Sequence, residues 1–364
     1  MDNSKHPKMI DILKEIAPMQ EPFSDILFRS DSPVMARFPE GWRPLFDDVI
    51  EMAMLNDFAN FIEPEADDFI TRGIAISRSI AIPVGDDEWR MRVDIYSTLN
   101  GRRLNAMVRR LPPVIPSLAE LGLPKQVLQI PRFTHGLVLI VGSTRSGKST
   151  TLASILNEIN KRRSCHIVSI EDPVEYIVPE EKSLFSPREV GVDCASFASG
   201  VREALRQCPE VIAIGEIRDA ETARCALEAS ESGHLVFGTL HANNAVSAIS
   251  KFAGLLVSNE GEHIRERFAL ALQAIISQVL LPRADGNDLV LASEMVFNHN
   301  DQHSLFLFDS ERLNKAIANQ DKCKLSYNME TYLRALVGQG KISASDASLY
   351  TGISLAAKTG NSKS

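Results

Sequence analysis

The hydrophobic pattern of the chain changes at a proline-rich segment. Before it the pattern is mixed, with helical spacing from Ile50 to Phe61 and strand-like alternation from Trp89 to Tyr96, which predicts a small α+β domain. Residues 111–116, Leu-Pro-Pro-Val-Ile-Pro, contain three prolines. Because proline continues neither a helix nor a ladder, this segment predicts a stiff linker.

After the linker, short apolar runs alternate with helix-length segments, which predicts βαβ units and an α/β fold with a mainly parallel sheet. Beyond Gly261 the pattern indicates helices at 264–281, 310–320 and 328–337 and a strand-like stretch at 289–297. The predicted domains are 1–110, a linker 111–120, a core 121–300 and a helical C-terminal region 301–364. The predicted core strands are Leu137–Val141, Ile167–Ile170, Val211–Ile214 and Leu235–Gly238.

Composition narrows the functional classes. Of the 364 residues, 44% are hydrophobic and 24% charged, as in globular proteins of two or more domains. The net charge of −8 argues against a protein that binds nucleic acid over its whole surface. The five cysteines are scattered without a CxxC pair, which argues against a zinc site. We find no apolar run long enough to span a membrane and no secretion signal, so we expect a cytoplasmic protein.

A glycine-rich segment directly after the first predicted core strand carries the strongest chemical signal. Residues 142–149, Gly-Ser-Thr-Arg-Ser-Gly-Lys-Ser, match the phosphate-binding loop GxxxxGK[ST]. In such a loop, backbone N–H groups and a helix N-terminus converge on the phosphates. Lys148 would supply a cation, and Ser149 a hydroxyl for Mg²⁺. The segment therefore predicts ATP and Mg²⁺ binding through Gly142, Ser143, Thr144, Arg145, Ser146, Gly147, Lys148, Ser149 and Thr150.

Two further predicted strands end in carboxylates. Glu216 follows the strand at 211–214, and Glu171 follows the strand at 167–170, with Asp172 and Glu175 close behind. Carboxylates at the carboxyl ends of parallel strands lie beside the phosphate loop, where they can organise Mg²⁺ or polarise the attacking water. We predict Glu216 and Glu171 as catalytic and metal-organising residues.

The fourth core strand is flanked by two histidines, His234 and His241, whose surroundings lack the spacing of a metal site. His241 follows the carboxyl end of the strand and is predicted to face the nucleotide and sense its γ-phosphate. Thr239 is predicted to assist it as a polar sensor.

These four segments, in this order, resemble the secretion ATPases of the type II/type IV superfamily. They are similar to the family's Walker A (142–149), Asp box (170–175), Walker B (214–219) and His box (233–241). The resemblance implies a RecA-like P-loop core and an N-terminal PAS-like α+β domain. It also implies a homo-hexameric ring that docks on protein components of a membrane-embedded secretion apparatus. Such a ring would work from the cytoplasmic side, peripheral to the inner membrane, with no direct nucleic-acid partner.

The resemblance also implies nucleotide contacts outside the phosphate loop. Arg92 and Arg109 of the N-terminal domain would reach the phosphates when the two domains close, and Arg202, Arg206 and His234 belong to matching motifs. The chain lacks the basic and apolar C-terminal helix that is typical of pilus retraction members. This favours the DotB/TraJ branch of Dot/Icm-type or IncI-type conjugative type IV secretion systems.

Two other functions stay open at this point. A RecA-like nucleic-acid translocase would share the core architecture, since a fold alone does not define the substrate. A nucleotide-switched assembly factor would bind ATP with little turnover.

Overall fold

The computed structural model describes residues 7–19, 23–38, 41–85, 87–111, 114–256, 261–286, 288–298 and 328–351. The chain forms two compact units, Met1–Val114 and Ile115–Ser364. The helix predicted at 310–320 lies outside the described residues.

The N-terminal unit is built on a six-stranded antiparallel sheet with strand order β3-β2-β1-β6-β5-β4. Its core contains Met9 and Leu13 of one helix and Leu55 and Phe58 of another, together with Phe28 of the sheet. This is the predicted α+β arrangement. The strands are β1 Asp25–Arg29, β2 Ser32–Phe38, β3 Gly41–Ile50, β4 Ile76–Val84, β5 Asp87–Thr98 and β6 Arg103–Arg110, and the helices are α1 Lys8–Ile16, α2 Met52–Ile62 and α3 Ala66–Thr71.

The second unit contains a seven-stranded sheet with order β13-β12-β7-β11-β10-β8-β9. All its neighbouring pairs are parallel except β12–β13. Every residue of β7, β10 and β11 is buried, as expected for a parallel sheet covered on both faces. The strands are β7 Gly136–Val141, β8 His166–Glu171, β9 Leu184–Glu189, β10 Val211–Ile214, β11 Leu235–Leu240, β12 Leu272–Pro282 and β13 Leu289–Phe297.

Helices cover both faces of this sheet. Ile155 and Ile159 of α4 pack on one face with Val138 and Ile140 of β7. On the other face, the rings of Phe252 and Phe268 stack at 4.5 Å between centroids. The helices are α4 Lys148–Arg162, α5 Phe197–Ala204, α6 Ala220–Glu231, α7 Ala245–Leu256, α8 Gly261–Ala271, α9 Met329–Gly338 and α10 Ala344–Thr351, with a 3₁₀ helix at Lys125–Arg132.

The structure corrects the prediction of a helix at 264–281. The helix α8 ends at Ala271, and the rest of the predicted segment is β12. Three of its residues, Ile275, Ile276 and Val279, are β-branched, and the strand pairs with β7 on one side and β13 on the other. Strand pairing therefore overrides the helical spacing of the apolar residues.

Candidate functional site

The phosphate loop connects the buried strand β7 to the N-terminus of α4. A Cβ atom at Gly142 would lie 2.4 Å from the Ser146 hydroxyl oxygen and 2.5 Å from the backbone oxygen of Gln278, so only glycine fits there. Gly147 has φ +84° and immediately precedes α4. The loop therefore turns tightly and ends at the N-terminus of a helix, as phosphate binding requires.

The ammonium group of Lys148 is held at this loop. Its Nζ donates hydrogen bonds to the carbonyl oxygens of Gly142 at 3.0 Å and Ser143 at 2.8 Å. Burial lowers the pKa of Lys148, while the negative charges of Glu216 and Glu175 act in the opposite direction. A cation is thus already placed where phosphate oxygens would arrive.

The other loop side chains differ in exposure. Ser143, Thr144 and Arg145 are exposed, whereas Ser146 is buried, and Ser149 is half-buried at the start of α4. The next residue, Thr150, is tied to the acidic segment after β8, because its hydroxyl hydrogen-bonds the hydroxyl of Tyr176 at 2.9 Å.

The carboxylate of Glu216, two residues after the end of β10, has two partners. Its Oε1 lies 3.1 Å from Nε2 of His241, and its Oε2 accepts a hydrogen bond of 2.7 Å from Arg218. Burial alone would raise the pKa of Glu216. The hydrogen bond and charge of Arg218, with the charges of His241 and Lys148, outweigh burial and lower this pKa. Glu216 is therefore held as a carboxylate, the form that can accept a proton or organise a cation.

Strand β11 lies between β7 and β10 and fastens the turn that carries Glu216. The hydroxyl of Thr239 donates to the carbonyl oxygen of Gly215, and the N–H of Ile217 donates to the carbonyl of Thr239 at 2.9 Å. At the end of the strand, Lys251 donates to the carbonyl of His241 at 2.9 Å. Thr239 therefore supports the turn after β10 and is not exposed as a polar sensor, since it is 3% exposed.

Glu171, the last residue of β8, and Asp172, which follows it, lie at the same edge of the sheet. Ser169 donates to Oε1 of Glu171 at 2.6 Å, and Asp172 lies 3.9 Å from the guanidinium of Arg218. A Cβ at Gly215 would lie 3.1 Å from the carbonyl of Ile170, so the ends of β8 and β10 approach closely. Arg218 thus stands between the carboxylates of Glu216 and Asp172.

The structure does not bring His234 to the phosphate loop of its own chain. His234 precedes β11, at the edge opposite His241, and its Nδ1 lies 3.1 Å from the carbonyl oxygen of Ala229 and 3.0 Å from the hydroxyl of Ser232. The six residues of β11 lie between the two histidines, so at roughly 3.3 Å per residue the seven steps along the strand separate them by about 23 Å.

Arg202 and Arg206 have their hydrogen-bond partners outside this loop. Arg202 lies in the last turn of α5, and Arg206 follows this helix, before the chain enters the amino end of β10. Arg202 forms an ion pair of 2.7 Å with Glu221, and Arg206 donates to the carbonyl of Arg202 at 3.1 Å.

Arg92 and Arg109 of the N-terminal unit lie directly opposite each other on β5 and β6. Arg109 contacts the buried carboxylate of Asp25, at 2.7 Å from Nε and 2.6 Å from Nη2. Nε of Arg92 lies 3.2 Å from Asp94. The two guanidinium groups are thus neighbours on one sheet, and each is paired with an acid of its own unit.

Sequence reasoning assigned no role to two residues that contact this site. Gln278 of β12 donates to the carbonyl of Ser146 at 2.7 Å, and Arg218 contacts Glu216. The signal for Gln278 was a long polar side chain inside an apolar strand, where an unpaired amide is costly. The sequence places Arg218 in the Walker B segment but does not show that it contacts Glu216.

A family model described as "Type II/IV secretion system protein" matches residues 68–333. Among curated relatives, the type IV pilus retraction ATPase PilT of Pseudomonas aeruginosa is 34% identical over 304 residues, 83% of each chain. A twitching motility protein of Neisseria gonorrhoeae is 38% identical over 253 residues, which cover 70% of this chain and 67% of the relative.

Solved structures give the same result. The crystal structure of the pilus retraction motor PilT with bound ADP has a TM-score of 0.82 and 33% identity to this chain, and the match covers 94% of this chain and 96% of that one. The ATPase DotB of Legionella pneumophila, from the branch favoured by the sequence, has a TM-score of 0.77 and 25% identity over 97% of both chains. The predicted superfamily and fold class are therefore confirmed. Among the described residues, none of the helices is both long and apolar enough to cross a bilayer. The chain belongs to the type II/IV secretion system protein family and is an ATP-hydrolysing enzyme of the secretion ATPase superfamily that includes PilT and DotB.

Proposed function

We propose that this chain is the hexameric, ATP-driven motor of a type IV secretion apparatus or a related pilus or conjugation apparatus. It would act from the cytoplasmic side, peripheral to the inner membrane, through protein components of that apparatus and without direct contact to nucleic acid. The observation that carries the proposal is the meeting of Lys148, Glu216 and His241 at one edge of one sheet. The similarity to DotB over nearly the whole chain supports the secretion branch.

The proposed division of labour follows the geometry. The amides of 142–150 and the ammonium of Lys148 hold the β- and γ-phosphates. Glu216, kept ionised by Arg218, polarises the attacking water, and Glu171 at the neighbouring strand end helps to position it. His241 orients Glu216, and its proposed role is to sense the γ-phosphate.

The donor set at this edge suits Mg²⁺. Ser149, Glu216 and Glu171 offer oxygen atoms only, which Mg²⁺ prefers. The described part of the chain contains no group of three or more His, Cys, Asp or Glu that could hold a metal without help. Such a partial donor set fits an ion that is bound by one or two carboxylates plus substrate phosphates. When bound, Mg²⁺ would neutralise charge that develops on the phosphates.

The remaining arginines and His234 are assigned by their positions. We propose that Arg92 and Arg109 neutralise phosphate charge when the N-terminal unit closes, since guanidinium groups pair readily with phosphate oxygens. His234 precedes β11 at the edge opposite the phosphate loop of its own chain, Arg202 lies in the last turn of α5, and Arg206 follows that helix. We propose that these three residues contact nucleotide at the site of a neighbouring subunit in the ring.

Glu216→Gln tests the motor assignment. Losing the carboxylate should lower kcat by roughly 10²–10³, while the loop keeps its affinity for ATP. The matched control is Glu228→Gln on the exposed side of α6, which should hydrolyse ATP like the wild type. Secretion or pilus assays of the same variants then separate two functions. A motor loses function with Glu216→Gln, whereas a nucleotide switch locked in its bound form keeps it.

The ring is tested by light scattering in the presence of a non-hydrolysable ATP analogue. We expect a particle of about six chain masses, as a closed ring of identical subunits requires. A persistent monomer at micromolar concentration would contradict the hexamer but leave the ATPase assignment intact.

A further inference from the structure

Gln278 is a buried polar side chain that the proposed mechanism does not use. It is 2% exposed and lies on β12 between Ser277 and Val279. The register pairs Ser277 with Val141, which places Gln278 beside Gly142 at the start of the phosphate loop. Strand β12 is paired on both sides, so this side chain extends from a rigid part of the sheet.

The amide of Gln278 makes one directed contact with the loop. Its Nε2 donates a hydrogen bond of 2.7 Å to the carbonyl oxygen of Ser146. Turning the amide over would place two acceptor oxygens together, so the orientation is fixed by its partner. Its Oε1 has no hydrogen-bond partner within the described part of the chain, a cost that an apolar side chain of similar size would avoid. Stability alone therefore gives little reason for a glutamine here.

The contact determines the orientation of the peptide between Ser146 and Gly147. The C=O and N–H of one trans peptide unit point in opposite directions. Because Gln278 holds the carbonyl of Ser146 toward β12, the N–H of Gly147 is turned away from β12. Gly147 has φ +84°, and glycine tolerates other backbone conformations at little cost, so nothing in the residue itself prevents this peptide from turning over.

We propose that Gln278 is a positioning residue that keeps the Ser146–Gly147 peptide in the orientation that offers its N–H to a nucleotide phosphate. The inference rests on the proposed ATPase site. Without the amide, the peptide turns over in a fraction of the molecules and presents a carbonyl oxygen to the phosphate instead. Only the remaining molecules bind ATP, so the apparent affinity falls in proportion to that fraction.

Gln278→Met removes the donor but keeps an unbranched side chain of similar length. We expect KM for ATP to rise about tenfold while kcat stays within about twofold, because molecules that have bound ATP carry the correct peptide orientation. A side chain that merely stabilises the fold would lower the active fraction, and so kcat, without raising KM. The matched control is Gln273→Met, the same change at the opposite end of β12, which should leave both constants unchanged.

Gln278→Glu supplies a second readout. A buried carboxyl group donates a hydrogen bond only when protonated, so the excess in KM over the wild type should be larger at about pH 9 than at about pH 6. Unchanged KM in folded Gln278→Met, or an equal rise in Gln273→Met, would overturn the proposal. A wild-type chain without turnover would contradict the motor instead, and direct ATP titration of wild type and Gln278→Met would still decide the role of Gln278.

Discussion

The two ends of β11 carry the same residue type in different surroundings. At the carboxyl end, Nε2 of His241 lies 3.1 Å from the carboxylate of Glu216, on the neighbouring strand. At the amino end, the ring of His234 lies against the carbonyl of Ala229 in the last turn of α6 and the hydroxyl of Ser232, which follows this helix.

The difference between the surroundings of His241 and His234 follows from the parallel pairing of β11 with its neighbouring strands. In a parallel sheet, all carboxyl ends lie at one edge, so groups that are distant in sequence meet there beside the helix N-terminus after β7. The amino edge receives the ends of the connecting helices, and its polar groups satisfy local backbone atoms. A histidine next to an apolar strand is thus informative only once the direction of the strand is known.

Lys148→Ala should produce the largest effect on ATP affinity at the carboxyl edge. It removes the cation expected to contact the phosphates and also the hydrogen bonds to Gly142 and Ser143. Charge-assisted hydrogen bonds contribute about 1.5–3 kcal/mol each, so the Kd for ATP should rise at least about 100-fold. Calorimetric titration measures this affinity directly.

Lys161→Ala is the matched control, since Lys161 is exposed in the last turn of the same helix, α4. It should bind ATP like the wild type. Full turnover by Lys148→Ala would refute the assignment of the phosphate site.

Parallel substitutions of the two histidines test the comparison itself. His241→Asn should lower kcat by about 10–100-fold, because Glu216 loses one of the groups that hold it in place. His234→Asn should leave the ATP affinity of the dilute, unassembled chain unchanged, since His234 lies at the other edge of the sheet. Steady-state kinetics and calorimetric titration below the assembly concentration provide the two measurements.

The contrast between the two edges would be contradicted if His234→Asn weakened ATP binding by the dilute chain as strongly as Lys148→Ala does. A loss that appears only in the assembled ring would instead place His234 at the site of the neighbouring subunit.

Most of the residues that meet at the carboxyl edge of the sheet could be predicted from the sequence, for a physical reason. Apolar runs identified β7, β8, β10 and β11, and a carboxylate or histidine after such a strand has to lie at the edge where the phosphate loop begins. The structure brings Lys148, Glu216 and His241 together as this rule requires.

The features that the sequence did not predict depend on contacts between segments that are distant along the chain. Residues 272–282 have both helical apolar spacing and β-branched residues, and pairing with β7 and β13 makes them a strand. Whether Arg202 or Arg206 faces the nucleotide depends on the edge at which α5 ends. The partners of Arg218 and Gln278 likewise emerge only when three-dimensional neighbours are known.

Arg218→Gln should have the smallest effect, and it tests the electrostatics of the carboxyl edge. Arg218 holds the pKa of Glu216 below its ordinary value, against the effect of burial. Without this cation, less opposes the rise in the pKa of Glu216 that burial causes, so Glu216 becomes protonated at a higher pH than in the wild type. Because the carboxylate is the active form, the acid limb of the kcat/KM profile should move to higher pH.

The shift should be modest, because the side chain of Arg218 is 57% exposed and solvent and salt screen its charge. Arg218→Lys keeps a cation and should move the acid limb less than Arg218→Gln. High salt should bring the wild-type profile toward that of Arg218→Gln, since screening weakens the same interaction. An acid limb that stays in place in both variants would show that Glu216 is not the group whose ionisation limits the reaction.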